Sequence, residues 1–231
     1  MNNLKENLNN VSARLERACA SAGRHASQVR LLAVSKHQPA DAVRELHIHG
    51  QRAFGENIVQ QALQKQSSLA DLPLEWHFIG HIQSNKTAEI AAHFDWVQSV
   101  DREKLLRRLS QQRPEGREPL NVCIQVNIDE EPQKSGCLPD EMLRLAAIGE
   151  SLPGIRLRGL MAIPAVSDDG GAAIESFRRV KALFDECRSA GHVFDTLSMG
   201  MSSDMERAIE AGSTMVRVGT DLFGARTQDR T

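Results

Sequence analysis

The sequence predicts an α/β protein that folds as a closed barrel of eight parallel strands, a (β/α)8 or TIM barrel. Short apolar runs rich in β-branched and aliphatic residues recur along the chain, as expected for buried strands. Stretches with helical periodicity lie between them, and this alternation is typical of a parallel barrel. The length of 231 residues suits one such barrel. A doubly wound open sheet is the alternative, but it usually has fewer strands and a glycine-rich first turn, which this sequence lacks.

The elements follow in order from a helix over residues 2–22, in which Leu4, Leu8 and Val11 recur at spacings of three and four. The strands are predicted at 30–35, 52–55, 76–80, 96–99, 121–127, 157–162, 196–199 and 215–219. The helices between them are predicted at 40–48, 58–69, 85–93, 102–112, 138–150, 171–190 and 204–211. Surface loops are expected at 113–119 and 167–171. We expect residues 1–231 to form one domain, with 1–28 as an N-terminal helix and lead-in.

Composition narrows the class of protein. The net charge of -2 and the absence of a long basic run argue against a nucleic-acid partner. The polar N-terminus does not resemble a signal peptide, and no apolar stretch approaches membrane-spanning length, so we expect a cytoplasmic protein with no membrane partner. The four cysteines are scattered, which is typical of reduced, buried thiols.

Lys36 is the most informative residue because it closes the apolar run over residues 29–36, just before Pro39. This position places a primary amine at the carboxyl end of a central strand, where a parallel barrel carries its chemistry. Burying an ammonium is costly unless it is paired or neutralised. A lysine that loses its proton there is a nucleophile for carbonyl groups.

The loops after the last two strands predict a phosphate site. Ser202 begins a predicted helix cap that runs to Asp204, and the amides and hydroxyl of such a cap can bind an anion. In the second loop, Gly219 allows close backbone approach to a ligand and Thr220 adds a hydroxyl. Loops after strands seven and eight are the usual phosphate site of this barrel. Capping residues alone are common, but the two motifs together favour phosphate binding.

Arg217 stands between two valines of the last strand and requires an acceptor, because a guanidinium keeps its charge. One interpretation is an ion pair with a loop carboxylate such as Asp101 or Glu56. The other is an anion or a ring nitrogen on a ligand. His77 and His81 are spaced like a metal pair, but that spacing has meaning on a helix and not on a strand, so we predict ordinary polar roles and no metal site.

A lysine amine, a phosphate site and a buried arginine at one end of a barrel together describe a pyridoxal phosphate site. The chain resembles the YggS/PROSC-type pyridoxal phosphate homeostasis proteins, whose barrel is like the N-terminal domain of alanine racemase. The segments that carry the resemblance are LAVSK at 32–36, FGEN at 54–57, WHFIG at 76–80, QSNK at 83–86, QVN at 125–127, KSG at 134–136, GLM at 159–161, LSMGMS at 197–202, VRVG at 216–219 and LFG at 222–224. They follow the family's order along nearly the whole chain.

The resemblance implies a fold-type III-like barrel in which Lys36 holds pyridoxal 5'-phosphate as a Schiff base. It also implies that Arg217 faces the pyridine nitrogen and that Asn57 lies near the cofactor. The phosphate contacts it implies come from Ser202, Gly219 and Thr220. Two positions depart from the family pattern, since Ile58 replaces a tyrosine and Gln38 stands where some relatives carry a second lysine.

Three functions remain open at this point. The first is a carrier that protects the aldehyde and buffers it or passes it to pyridoxal phosphate-dependent apoenzymes. The second is a slow amino-acid racemase that uses Lys36 as its base. Racemases of this barrel type add a tyrosine from a second domain, but this chain has no tyrosine and is short for such a domain. The third is a Schiff-base aldolase without a cofactor. We favour the carrier, with no catalytic residue assigned, and expect a monomer.

Overall fold

The chain folds into a closed barrel of eight parallel strands in sequential order, β1 to β8, in a computed structural model that describes residues 3–164 and 170–224. Each strand pairs in parallel with the next, and β8 closes the barrel on β1 through pairs such as Leu32 with Arg217. The barrel and its extra N-terminal helix confirm the predicted fold class.

The described strands and helices lie within one or two residues of most predicted bounds. The strands are β1 Arg30–Val34, β2 Ala53–Glu56, β3 Glu75–Phe78, β4 Trp96–Val100, β5 Leu120–Val126, β6 Ile155–Ala162, β7 Thr196–Ser198 and β8 Met215–Val218. The helices are α1 Leu4–Ser21, α2 Ala40–Ile48, α3 Val59–Ser68, α4 Thr87–His93, α5 Glu103–Gln111, α6 Met142–Glu150, α7 Gly170–Ser189, α8 Met205–Glu210 and α9 Thr220–Phe223. Most of the loop predicted at 167–171 lies outside the described residues.

Helix α1 has no counterpart among the eight strand–helix units, and it packs across the end of the chain. Its apolar stripe, which includes Leu4, Leu8 and Val11, is buried in the main core. Its polar side reaches the last two loops, because Arg14 forms ion pairs with Glu206 of α8 and Asp221 of α9. The N-terminal helix therefore braces the two loops in which the sequence predicts a phosphate site.

The helix cap predicted at residues 202–204 is only partly correct. Asp204 does take the position before α8, but its carboxylate makes no cap hydrogen bond to that helix. Oδ1 of Asp204 instead accepts a hydrogen bond from the backbone N–H of Met201, 2.5 Å away. The acidic side chain thus closes the loop on itself, since an Asp side chain can bond to a nearby backbone N–H in place of capping the helix.

All four cysteines are buried free thiols, in agreement with the sequence. None of the described helices is long and apolar enough to cross a membrane.

Candidate functional site

A cavity of about 590 Å³ opens at the carboxyl ends of the strands. We call it the mouth cavity. The six residues predicted from the sequence all line it, and they are Lys36, Asn57, Ser202, Arg217, Gly219 and Thr220. Apolar side chains such as Ile79, Met161 and Ile163 complete the wall. A cavity of this size with few polar groups suits a small organic ligand.

Lys36 enters the mouth cavity from a tight turn that follows β1. His37, the next residue, has a φ of 62°, in the left-handed region that non-glycine residues rarely adopt. The backbone N–H of Gln38 donates to the carbonyl oxygen of Ser35 at 3.0 Å and closes the turn. The strained residue therefore fixes where the half-buried lysine leaves the strand.

Beneath this turn lies a buried charge cluster that the sequence did not reveal. Glu56 is fully buried, and its Oε1 accepts hydrogen bonds from the hydroxyl of Ser35 at 2.6 Å and from the ammonium of Lys65 at 2.5 Å. The same ammonium donates to the carbonyl oxygen of Ser35. The hydroxyl and the carbonyl oxygen of Ser35, the residue before Lys36, are thus anchored to β2 and α3.

Asn57 follows β2, and its side-chain oxygen Oδ1 is buried without a hydrogen-bond partner among the described residues. A buried acceptor left unpaired is costly unless a ligand completes it, so this atom fits a donor on a bound molecule. Gly80 holds the loop in place, because a Cβ there would lie only 2.1 Å from the carbonyl oxygen of Asn57.

Arg217 is 4% exposed and reaches the mouth cavity from β8. Its Nη1 donates to the carbonyl oxygen and to the hydroxyl of Ser198, both at 2.8 Å, and Nη2 donates to the carbonyl oxygen of Ala162 at 2.9 Å. Burial lowers the pKa of Arg217 to about 10, against the attraction of Asp204. The guanidinium therefore remains charged at neutral pH.

The ion pair that the sequence suggested for Arg217 is wrong. Glu56 pairs with Lys65 on the outer side of the barrel strand, and Asp101 pairs with its neighbour Arg102. Val34 and Arg217 both face the cavity, and Val34 pairs with Gly55 of β2. Successive strand residues point to opposite faces, so Glu56, next to Gly55, points away from the barrel interior. Ser198 and Ala162 take three N–H groups of Arg217, and no described residue accepts from the other two of its five donors.

The two predicted phosphate loops both line the mouth cavity. Gly219 approaches β1 closely, since an added Cβ would lie 3.3 Å from the carbonyl oxygen of Val34, and Thr220 begins α9. Arg14 donates to the carbonyl oxygen of Ser202 at 3.1 Å and pairs with Asp221, which also lines the cavity. Arg14 therefore offsets a carboxylate that would otherwise repel an anion here.

Gln38 and Asp221 also line the mouth cavity, although neither is in the predicted set of site residues. Their positions in the sequence are the signal that could have found them, since Gln38 lies two residues after Lys36 and Asp221 directly follows Thr220. Of the two departures from the family pattern, the one at position 38 therefore changes the cavity wall, whereas Ile58 is not among the described lining residues.

The two histidines do not come together. His77 is fully buried inside the barrel, while His81 lines a second cavity of about 250 Å³ with Gln125 and Lys134. Within the described ranges, no group of three or more His, Cys, Asp or Glu side chains is arranged to hold a metal ion.

The fold and this site define a class. The family model for the alanine racemase N-terminal domain matches residues 4–227. Alanine racemase from Clostridium difficile has the same fold, with a TM-score of 0.78 and 16% identity, and the match covers 99% of this chain and 58% of the racemase.

Relatives narrow the class to a family. The chain is 55% identical over 226 residues to the pyridoxal phosphate homeostasis protein of Pseudomonas aeruginosa, covering 98% of this chain and 97% of that one. It is 47% identical to the protein of the same name in Escherichia coli K12, covering 98% of each chain. The structure of PipY from Synechococcus elongatus with PLP bound matches with a TM-score of 0.84 and 36% identity, covering 96% and 100% of the two chains. The chain belongs to the family of pyridoxal phosphate homeostasis proteins, as the resemblance predicted.

Proposed function

We propose that this protein binds pyridoxal 5'-phosphate in the mouth cavity, holds it as a Schiff base on Lys36, and buffers it or delivers it to apoenzymes. The observation that carries the proposal is the convergence of Lys36, Arg217 and the two phosphate loops on one cavity. The bound cofactor in PipY and the shared family support it.

Lys36 supplies the covalent link. Its amine, when unprotonated, would form a C=N bond with the aldehyde carbon of the cofactor and release one water molecule. The left-handed residue His37 and the anchored Ser35 hold the strand end, so the amine approaches from a fixed direction. The link is reversible by hydrolysis, which suits a carrier.

The loops after β7 and β8 hold the phosphate. Ser202 and Thr220 offer hydroxyl donors, and Gly219 permits close backbone approach. Arg14 steadies the loops from behind through the carbonyl oxygen of Ser202 and the carboxylate of Asp221. Asn57 accepts a hydrogen bond from the ligand through its unpaired Oδ1.

Arg217 sets the electronic character of the site. A pyridoxal ring supplies an electron sink whose strength rises when its ring nitrogen is protonated. A guanidinium donates a hydrogen bond but does not readily give up its proton, so Arg217 keeps that nitrogen neutral. The site therefore favours safe storage of the aldehyde over carbanion chemistry.

A slow racemase is the second candidate, favoured by the alanine racemase fold. Racemization through two bases needs a second proton acceptor on the opposite face of the substrate. Among the described residues that line the mouth cavity, Asp221 carries the carboxylate that could accept a proton, and it is already paired with Arg14. This ion pair makes Asp221 a poor second base and favours the carrier.

The experiment compares wild type with Lys36→Ala and with Lys134→Ala, which removes an amine from the neighbouring cavity. We expect wild type and Lys134→Ala, loaded with pyridoxal 5'-phosphate, to absorb as a Schiff base that borohydride reduces. Lys36→Ala should lose this band. A wild-type protein that cannot be loaded contradicts the proposal.

Delivery is tested by mixing loaded protein with an apoenzyme in the presence of a scavenger of free pyridoxal phosphate. Activation despite the scavenger supports direct delivery, and its loss indicates release into solution, as for a buffer. Deuterium exchange at the α-carbon of amino acids, abolished by Lys36→Ala, would instead favour the racemase.

A further inference from the structure

A row of hydrogen bonds crosses the barrel interior from Arg217 to the opposite end of the barrel. The hydroxyl of Ser198 accepts from Nη1 of Arg217 at 2.8 Å and lies 2.6 Å from Oε1 of Gln98. Nε2 of Gln98 lies 2.8 Å from Nδ1 of His77, whose Nε2 lies 2.6 Å from Oε1 of Glu75. We call these five residues the interior chain.

The direction of every hydrogen bond in the interior chain follows from its first member. Arg217 can only donate, so the proton of Ser198 goes to the amide oxygen of Gln98. The amide N–H then donates to Nδ1 of His77, which places the ring proton on Nε2, facing the carboxylate. Each residue thus donates to the next one along the chain, starting from the cation Arg217 and ending at the carboxylate of Glu75.

Glu75, at the far end of the interior chain, is held as a carboxylate by its hydrogen-bond partners. Glu75 also accepts a hydrogen bond from Arg30 at 2.7 Å, in a pair that is partly exposed. Burial acts to raise the pKa of Glu75, but the hydrogen bonds from His77 and Arg30 and the charge of Arg30 outweigh it and lower the pKa to about 2. Burial lowers the pKa of His77 against the pull of Glu75, so its ring is neutral at neutral pH.

The polarity of this layer is unusual for a barrel interior, which branched apolar residues normally fill. Ser198, Gln98 and His77 are each 0% exposed. Burying such groups costs free energy that apolar residues of similar size would not cost, even when hydrogen bonds compensate. The ring of His77 also stacks on Trp96, with centroids 5.2 Å apart, which fixes its plane.

We propose that Ser198, Gln98 and His77 are positioning residues that orient Arg217 toward the ring nitrogen of the cofactor. The inference rests on the proposed function. Because the proton of Ser198 is committed to Gln98, the hydroxyl always presents a lone pair to Nη1. With Ala162 it fixes the guanidinium plane of Arg217, which lines the mouth cavity, and leaves the Nε–H and one Nη2–H without an acceptor among the described residues. Without the interior chain, the hydroxyl can rotate and Arg217 loses its fixed plane.

The test is ¹⁵N NMR of the protein loaded with pyridoxal 5'-phosphate labelled at the ring nitrogen. In wild type we expect the chemical shift of a neutral nitrogen that accepts a hydrogen bond. In Ser198→Ala and Gln98→Met, the shift should move toward that of a ring nitrogen without a hydrogen bond, and the cofactor should dissociate several-fold faster. Glu75→Gln, at the partly exposed end, tests the interior chain without altering the fully buried layer, and it should move the shift in the same direction by a smaller amount.

Ser213→Ala is the matched control. Ser213 is also 0% exposed, and its hydroxyl contacts three backbone carbonyl oxygens, including that of Met199, but it lies outside the interior chain. It should lose stability and keep the wild-type shift. An unchanged shift in folded Ser198→Ala and Glu75→Gln would overturn the inference while leaving cofactor binding intact. Wild type that takes up no labelled cofactor would overturn the proposed function, and the inference with it.

Discussion

The ammonium nitrogen of Lys65 lies 2.7 Å from the carbonyl oxygen of Ser35, the residue directly before Lys36. Lys65 also pairs with Glu56, and both side chains are nearly or fully buried. A charged pair in this place links helix α3 to the strand end that presents the reactive amine. The charge cluster thus connects the stability of the barrel to the geometry of the site.

We expect Lys65→Met to destabilise the protein by about 3–5 kcal/mol, because it leaves the carboxylate of Glu56 buried without its counter-charge. The double variant Lys65→Met/Glu56→Leu should recover at least half of this loss, since no buried charge then remains unpaired. Urea unfolding of the three proteins measures the difference. A double variant as unstable as Lys65→Met alone would contradict this account of the pair.

Gly80→Ala should disturb the mouth cavity, because the new Cβ would meet the backbone oxygen of Asn57. Relief requires a backbone shift, which typically costs about 1–3 kcal/mol. Gly149→Ala is the control, since its Cβ would meet only the side-chain tip of Leu157 at 3.2 Å. Thermal unfolding and cofactor titration should show loss of both stability and affinity for Gly80→Ala. Equal behaviour of the two variants would show that the close approach at Asn57 is unimportant.

Arg14→Gln should weaken cofactor binding more than it weakens the fold. Its ion pairs are partly exposed, so their loss should cost no more than about 1 kcal/mol of stability. Freed from Arg14, however, Asp221 repels the phosphate, and we expect the Kd to rise about fivefold. Arg44→Gln removes a similar exposed pair with Asp71 at a residue outside the mouth cavity lining and should leave the Kd unchanged. Similar Kd values for both variants would argue against a role of α1 in supporting the two phosphate loops.

The stability gap between wild type and His77→Gln should narrow as pH falls from about 7 to about 5. The pKa of His77 is lowered in the folded protein, so below about pH 6.5 the unfolded chain takes up a proton that the folded chain refuses. Only the wild type therefore loses free energy of unfolding in this range, by at most about 1.4 kcal/mol per pH unit. Urea unfolding at several pH values measures the gap. A gap that widens toward acid would mean that His77 is protonated and forms an ion pair with Glu75.

The barrel was predictable because its signal is local. Buried parallel strands are continuous apolar runs, and each run such as 30–34 is followed by a turn and a helical stretch. Helix α9 is not among the predicted helices, because four residues carry no helical periodicity. The predicted cap spanned three residues because Ser202, Ser203 and Asp204 are all residue types that cap helices, and the structure places Asp204 at the cap position.

The membership of the mouth cavity was predictable for a related reason, since the carboxyl ends of parallel strands meet at one face. The partners of Lys65 and Arg217 were not. Arg217 is held by backbone carbonyl oxygens and a hydroxyl, which leave no mark in the sequence. The interior chain joins residues up to 142 positions apart, from Glu75 to Arg217, and only the closed barrel brings them together. The predicted single domain and monomer stay predictions, which the mass of the purified protein in solution would check.

Peptide mapping after borohydride reduction of the loaded protein shows which amine forms the Schiff base. The chain has seven lysines, so the position of the label identifies the amine that holds the cofactor. We predict one phosphopyridoxyl group per chain, on the peptide that contains Lys36. A label on Lys134, in the neighbouring cavity, or one spread over several lysines while Lys36 stays unmodified would contradict the account.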